Sequence, residues 1–189
     1  MSLEPDIAEL LARARADLRM GVPVVLAGDG AQGGALMLAA ETLQTARLAD
    51  LRALDGTPAL AITARRAETL KARPYDGDLA RILLPVDADS NWVRAVADPA
   101  DDLRAPMKGP LVSAREGSAG LHRLAITLAK SARLLPAALV QGLADPRRFA
   151  TENRLTLIEA ADAWPHLSER RTMEEVVSAH LPTEAALNT

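Results

Sequence analysis

The chain has 189 residues, 49% hydrophobic and 25% charged, with a net charge of −3, which suits one globular domain with a substantial core. That charge gives no attraction for nucleic acid or an anionic membrane, and only Tyr75, Trp92, Phe149 and Trp164 are aromatic, so little can stack on bases. The absence of cysteine excludes disulfides, thiol nucleophiles and thiolate zinc sites.

No apolar run approaches the roughly 20 residues needed to span a bilayer. The first residues lack the basic-then-apolar pattern of a secretion signal. A cytoplasmic protein is expected, with neither nucleic acid nor membrane as partner.

In chain order, IAELLARARADLRM follows Pro5 and Asp6 and spaces Ile7, Leu10, Leu11, Ala14 and Leu18 as one helix face. Pro5 suits a first helical turn and Gly21 a terminus. Residues 23–27 read as a buried strand entering a glycine-rich turn at 28–34, and the apolar run 36–40 could be strand or helix. An amphipathic helix is expected over 45–54, a strand over 58–63, a helix over 64–71, and a loop around Pro74 and Gly77. The strand expected over 81–86 contains Pro85, which favours an edge or a strand end. A short helix over 91–97, a loop over 98–110 and a weak strand over 111–114 follow. The clearest helix takes Ser118 as its N-cap and runs to about Arg133. After it come a strand over 137–140, a helix over 146–153 and a strand over 155–158. The polar tail 172–189 is expected to be partly disordered. Alternating strands and helices predict an α/β (α+β) layered domain.

Two segments carry a resemblance. Residues 21–41 read GVPVVLAGDGAQGGALMLAAE, and residues 117–143 read GSAGLHRLAITLAKSARLLPAALVQGL. Together they resemble 3,4-dihydroxy-2-butanone-4-phosphate synthase, which rearranges ribulose 5-phosphate with magnesium in riboflavin biosynthesis. In that family the first segment carries Asp-Asp-Glu-Asp-Arg-Glu-Asn-Glu-Gly-Asp after an apolar strand. Here Asp29 falls on the last leading acid, while the arginine, both glutamates and the closing aspartate fall on Gly30, Ala31, Gly33 and Ala35. The family's second segment carries Gly-His-Thr-Glu before a helix, then Pro-Ala, an apolar strand and Cys-Glu. With Pro136 and Ala137 on that Pro-Ala, Leu121 takes the place of the histidine and Gly142 that of the final glutamate. His122 is one place off, about 100° around a helix.

Residues 93–115 and 149–167 resemble further stretches of the family, so coverage extends over most of 10–167. The family's Ser-Ala-Ala-Asp-Arg element is poorly represented at 87–91, and its Asp-Gly-Thr-Met loop is shortened to 144–148. The resemblance implies a layered sandwich of mixed sheet and helices over residues 1–168, a homodimer, and a lost magnesium site with no cofactor retained. VVSAHLPTE at 176–184 looks like the entry into GTP cyclohydrolase II, which implies that 169–189 is a linker toward such a domain. That chemistry resembles zinc-water hydrolysis held by cysteines, which this chain lacks.

The sequence therefore reads as a catalytically degenerate synthase-like domain with a structural, dimerising or regulatory role. Its remnant cleft would comprise Asp29, Gly30, Gln32, Gly33, His122 and Arg123. Other readings stay open at this point. Gly28-x-Gly30-x-x-Gly33 after a strand spells a dinucleotide phosphate turn, with Arg65 and Arg66 hinting at a 2′-phosphate. His122 and Arg123 near a helix start could receive the anion of a phosphorylated small molecule. Activity could survive through Asp29, Glu41 and His122. Arg147, Arg148, Arg170 and Arg171 read as solvated surface or interdomain contacts, and no two of His122, His166 and His180 have metal-binding helical spacing.

Overall fold

A computed structural model describes residues 4–29 and 33–168. The expected linker and tail at 169–189, with Arg170, Arg171, His180 and the cyclohydrolase-like stretch, lie outside the described residues, as do Gly30 and Gln32. The first helix, α1 (Ile7–Arg19), takes Asp6 as its N-cap, so Pro5 lies outside its first turn. A capping box explains this: the Asp6 carboxylate accepts from Glu9 N–H and the Glu9 carboxylate accepts from Asp6 N–H.

Strands β1 (Val24–Ala27) and β2 (Gly34–Ala39) form an antiparallel hairpin. Helix α2 (Thr45–Arg52), β3 (Ala59–Thr63), α3 (Ala64–Thr69), β4 (Leu79–Leu83) and α4 (Ser90–Ala97) follow. A 3₁₀ turn at Pro99–Asp101 opens a long irregular segment, ahead of α5 (Gly120–Ser131), β5 (Ala137–Leu143), α6 (Pro146–Asn153), β6 (Leu157–Glu159) and α7 (Ala160–Ser168). The six strands form one sheet in the order β4-β3-β5-β2-β1-β6, antiparallel throughout except for the parallel β1–β6 pair.

Helices cover both faces of the sheet. Leu11, Leu18, Leu124, Leu128 and Ala163 of α1, α5 and α7 pack on Val24, Met37, Ala138 and Val140. Leu48, Leu51, Ala67, Val93 and Ala150 of α2, α3, α4 and α6 pack on Val25, Leu36, Leu60 and Leu139. This three-layer sandwich explains why 36–40 was ambiguous. A strand buried on both sides shows no apolar–polar alternation, and every residue of β2 is buried.

Other boundaries moved for local reasons. β4 begins two residues before the expected Arg81 and stops short of Pro85. Residues 111–114 make only one bridge, Ser113 to Ile82, although Val112 and Ala114 also exchange backbone hydrogen bonds with β4. Ser118 does not cap α5; its N-cap is Ala119, without a side-chain bond, and the Ser118 hydroxyl accepts instead from Gly120 N–H. The helix α7 was not foreseen, because Pro165 lies inside it.

Charged side chains anchor the irregular segment. Arg66, in the first turn of α3, is buried and donates to the carbonyls of Val96, Ala95 and Asp98. It also holds Asp102 through two bonds of 2.6 and 2.7 Å. The buried ammonium of Lys108 meets the same carboxylate. Together the two cations hold the Asp102 carboxyl well below the usual carboxylate range. Arg66 is therefore a structural clamp, not a free cation for a 2′-phosphate. Replacing it with Ala would leave those carbonyls and the carboxylate short of partners. Arg66→Ala should cost about 3 kcal/mol in urea unfolding, and Arg66→Lys should recover only part of that because it lacks the planar fork.

Candidate functional site

The glycine-rich turn joins two paired strands. Gly28 N–H donates to Gly33 carbonyl at 2.9 Å, and Gly33 has φ of +64°, a left-handed conformation that favours glycine. The chain then continues as β2, so no helix follows the turn. A dinucleotide phosphate turn needs that helix, and the strand–turn–strand geometry corrects the nucleotide reading. Asp29 is exposed just beyond β1.

Gly34 has a packing reason to be glycine. A methyl group there would drive into the Pro146 ring and come within 2.6 Å of the Leu26 carbonyl oxygen. The space at Gly142, by contrast, is open for 4 Å around a built methyl.

β5 is longer than the expected 137–140 and reaches Leu143, so it runs the full length of β2. This pairing sets Ala35 directly opposite Gly142, and Gly34 opposite Leu143. A Cβ on Gly33 would stand 2.9 Å from the Leu143 carbonyl oxygen. Gly33, Ala35 and Gly142, on which three acids of the resembled family fall, thus meet at one end of the β2–β5 ladder. Ala35 belongs to the core layer beneath α5, and Leu121 packs against that same layer from the first turn of α5. Gly33, Ala35, Gly142 and Leu121 themselves carry neither carboxylate nor imidazole, while Asp29 stands exposed just beyond β1. Among the described residues no three His, Cys, Asp or Glu side chains converge as a metal group would require. Residues 30–32, Gly-Ala-Gln, bring no charged donor either. The donor set does not fit magnesium, and no step through a metal is derived.

His122 and Arg123 turn toward β4. Arg123 makes bonds of 2.8 to 3.0 Å to the Asp78 carboxylate and donates to the Asp76 carbonyl. The guanidinium lowers the Asp78 carboxyl below its ordinary value. Arg81, buried on β4, forks onto Asp76 at 2.8 and 3.0 Å and donates to the Glu116 carbonyl at 2.8 Å. The partners of Arg123 therefore come from the segment before β4 and not from the 28–34 turn. That leaves Arg123 already neutralised as an anion receptor.

His122 is half-buried, and its Nδ1 is buried without a hydrogen-bond partner. Burial pushes its pKa down from 6.5 to about 4; the nearby Arg81 charge adds to this and Asp76 opposes it.

The sequence reading missed the Arg81–Asp76 and Arg66–Asp102–Lys108 groups. One signal was present: an arginine inside the apolar run LARIL must find a carboxylate if that run is a buried strand. Arg147 and Arg148 bond Glu159 and Glu152 at 2.8 and 2.7 Å within this chain. His166 lies on α7 with its ring nitrogen 3.1 Å from the Asp162 carbonyl oxygen.

The chain matches no protein-family model. It is 31% identical over 184 residues to a GTP cyclohydrolase-2 from Azospirillum brasilense, a match covering 94% of this chain and 47% of that protein. It thus spans about half the length of that relative. A solved 3,4-dihydroxy-2-butanone 4-phosphate synthase of Candida albicans has a TM-score of 0.62 at 16% identity, covering 84% of this chain and 97% of that one. A two-domain synthase from A. baumannii gives 0.60 at 18% identity, covering 82% and 57% respectively. A synthase in complex with two magnesium ions gives 0.58 at 18% identity, covering 87% and 97%.

The fold is that of the 3,4-dihydroxy-2-butanone 4-phosphate synthases, a mixed six-stranded sheet between two helical layers. The chain is a synthase-like domain whose sequence is similar to about half of a GTP cyclohydrolase-2.

Two substitutions separate a packing glycine from one with open space. Gly34→Ala should destabilise by about 1–3 kcal/mol through overpacking. Gly142→Ala should stay within about 0.5 kcal/mol, both read from denaturant midpoints. The lowered pKa of His122 gives a pH signature. Between pH 6.5 and about 4 the folded state holds fewer protons than the unfolded chain, so this group's contribution is full above pH 6.5 and falls as the pH drops through that window. The thermal midpoint of the wild type should therefore fall more steeply across that range than that of His122→Leu.

Proposed function

We propose that this chain is a catalytically degenerate synthase-like domain, held as a structural and dimerising or regulatory module beside a GTP cyclohydrolase II in riboflavin biosynthesis. The observation that carries the reading is the corner at the end of β2 and β5. Three positions on which the family's acids fall meet there as Gly33, Ala35 and Gly142, and the position of its histidine is Leu121, in the first turn of α5 against the same core layer. Metal ligands and proton-transfer groups act as a unit, so losing them together removes the chemistry and not merely part of it.

The similarity to a GTP cyclohydrolase-2 supports the attachment, since the chain accounts for 47% of that relative's length. The lack of cysteine argues that cyclohydrolase chemistry belongs to the remainder of such a polypeptide. The domain works without a bound metal, in the cytoplasm, and pairs as a homodimer whose frame outlives the site.

The deciding experiment incubates the full chain with ribulose 5-phosphate and magnesium and follows product, alongside calorimetry with the same ligand. Neither turnover above background nor binding heat is expected. Turnover would sink the degenerate reading, and binding without turnover would make the domain a sensor of a phosphorylated sugar.

A further inference from the structure

The clamp that spends Arg66 leaves its neighbour Arg65 without a task. Arg65 is exposed in the first turn of α3, and its side chain has no partner among the described residues. It borders a pocket of about 340 Å³. Small-molecule sites begin at roughly 300 Å³, so this pocket has room for one compact ligand and not for a helix or strand of another protein.

The pocket lies where β3 ends and β5 begins. Ile62 and Ala137 pair across those two strands, and Ala97, Pro99, Leu135 and Pro136 complete an apolar lining. Both sides are tied down by contacts that need no occupant. On one side, the Arg66 guanidinium holds the carbonyls of Ala95, Val96 and Asp98 and so fixes the end of α4. On the other, the Glu41 carboxylate accepts from Leu135 N–H at 2.7 Å and fixes the entry into β5. A ligand entering such a site pays little for ordering its walls.

The charge beside this lining has one sign. Arg66 is neutralised by Asp102, while Arg65 is left without a counter-ion among the described residues. No carboxylate lines the pocket. Asp98 stands outside the lining and turns to Ala100 N–H at 2.9 Å, and Glu68 of α3 is also outside it. A sugar phosphate would suit Arg65 but leave the apolar walls wet, and a neutral hydrocarbon would fill the walls but leave Arg65 unused. Only a molecule with an apolar body and one acidic group matches both.

We infer that this pocket binds a small organic acid, its apolar body seated against Ile62, Pro99, Leu135 and Pro136 and its carboxylate on Arg65. The site stands at the start of β5, five residues or about 17 Å along the strand from Gly142. It is therefore separate from the corner and does not depend on whether the corner has lost its chemistry.

Amide NMR of the full chain titrated with naphthoate tests the site. The amides of Ile62, Arg65, Thr69, Ala97, Leu135 and Ala137 should shift together and saturate. Naphthylmethylamine has the same rings with the opposite charge and should bind at least about tenfold more weakly. Arg65→Gln should weaken naphthoate about tenfold and narrow the gap between the two probes. Thr69→Phe, from an exposed position bordering the pocket, should block both, with thermal melts checking that each variant stays folded. Ribulose 5-phosphate should move none of these amides, so binding at the corner would be seen separately. No shift at millimolar naphthoate, shifts only on other surfaces, or equal binding of the two probes would overturn the site. Movement of the same amides with protein concentration alone would give the pocket to a second copy of the chain and overturn it too.

Discussion

The β2–β5 ladder is the constraint on which the remaining structure depends. It runs without interruption from Gly34 opposite Leu143 to Ala39 opposite Ala138, in the middle of the sheet. Both strands are sandwiched, so Ala35, Met37 and Ala39 belong to one core and Leu36 and Leu38 to the other. A slip of one residue would exchange these sets and misfit both helical layers at once. The hairpin to β1, the pairing with β3 and the seating of α5 all follow from this one register.

That ladder also fixes what the frame demands at the positions on which the resembled family's acids fall. Its demands are small or apolar side chains, a tight turn at Gly33 and a bare backbone at Gly34 beneath Pro146. None of these needs an acid. Positions 35 and 142 sit opposite each other whatever side chains they carry, so replacing carboxylates there with Ala and Gly leaves the hydrogen-bonded pairing intact. Removing buried or crowded like charges also relieves a desolvation and repulsion cost once no metal balances it.

Charge does its structural work elsewhere, in the segments the ladder cannot order. Arg66 gathers the end of α4 and Asp102, and Lys108 closes onto the same carboxylate. Arg81 and Arg123 tie Asp76, Asp78 and the approach to α5 onto the β4 edge. The bonds of the first group link residues 6 to 36 apart and those of the second 5 to 47, and a chain with so few aromatic residues uses them to fix loops that bulky packing would otherwise hold.

The sequence by itself determined the layered α/β class, most helices, and the residue types at the positions that match the resembled family's acids. These follow from periodicity, from caps and from residue identities, which are local. It also carried the frame, since residues 137–140 and the run ending at Ala40 are legible as apolar segments even where their type is not. Only the tertiary structure decided that 34–39 is a strand, because burial on two faces erases the alternation that marks one. It also decided that the glycine turn closes a hairpin, that positions 35 and 142 meet, and that His122 and Arg123 turn toward Asp76 and Asp78. Those facts depend on strand order and on pairing between distant segments, and no local pattern encodes which strand lies beside which.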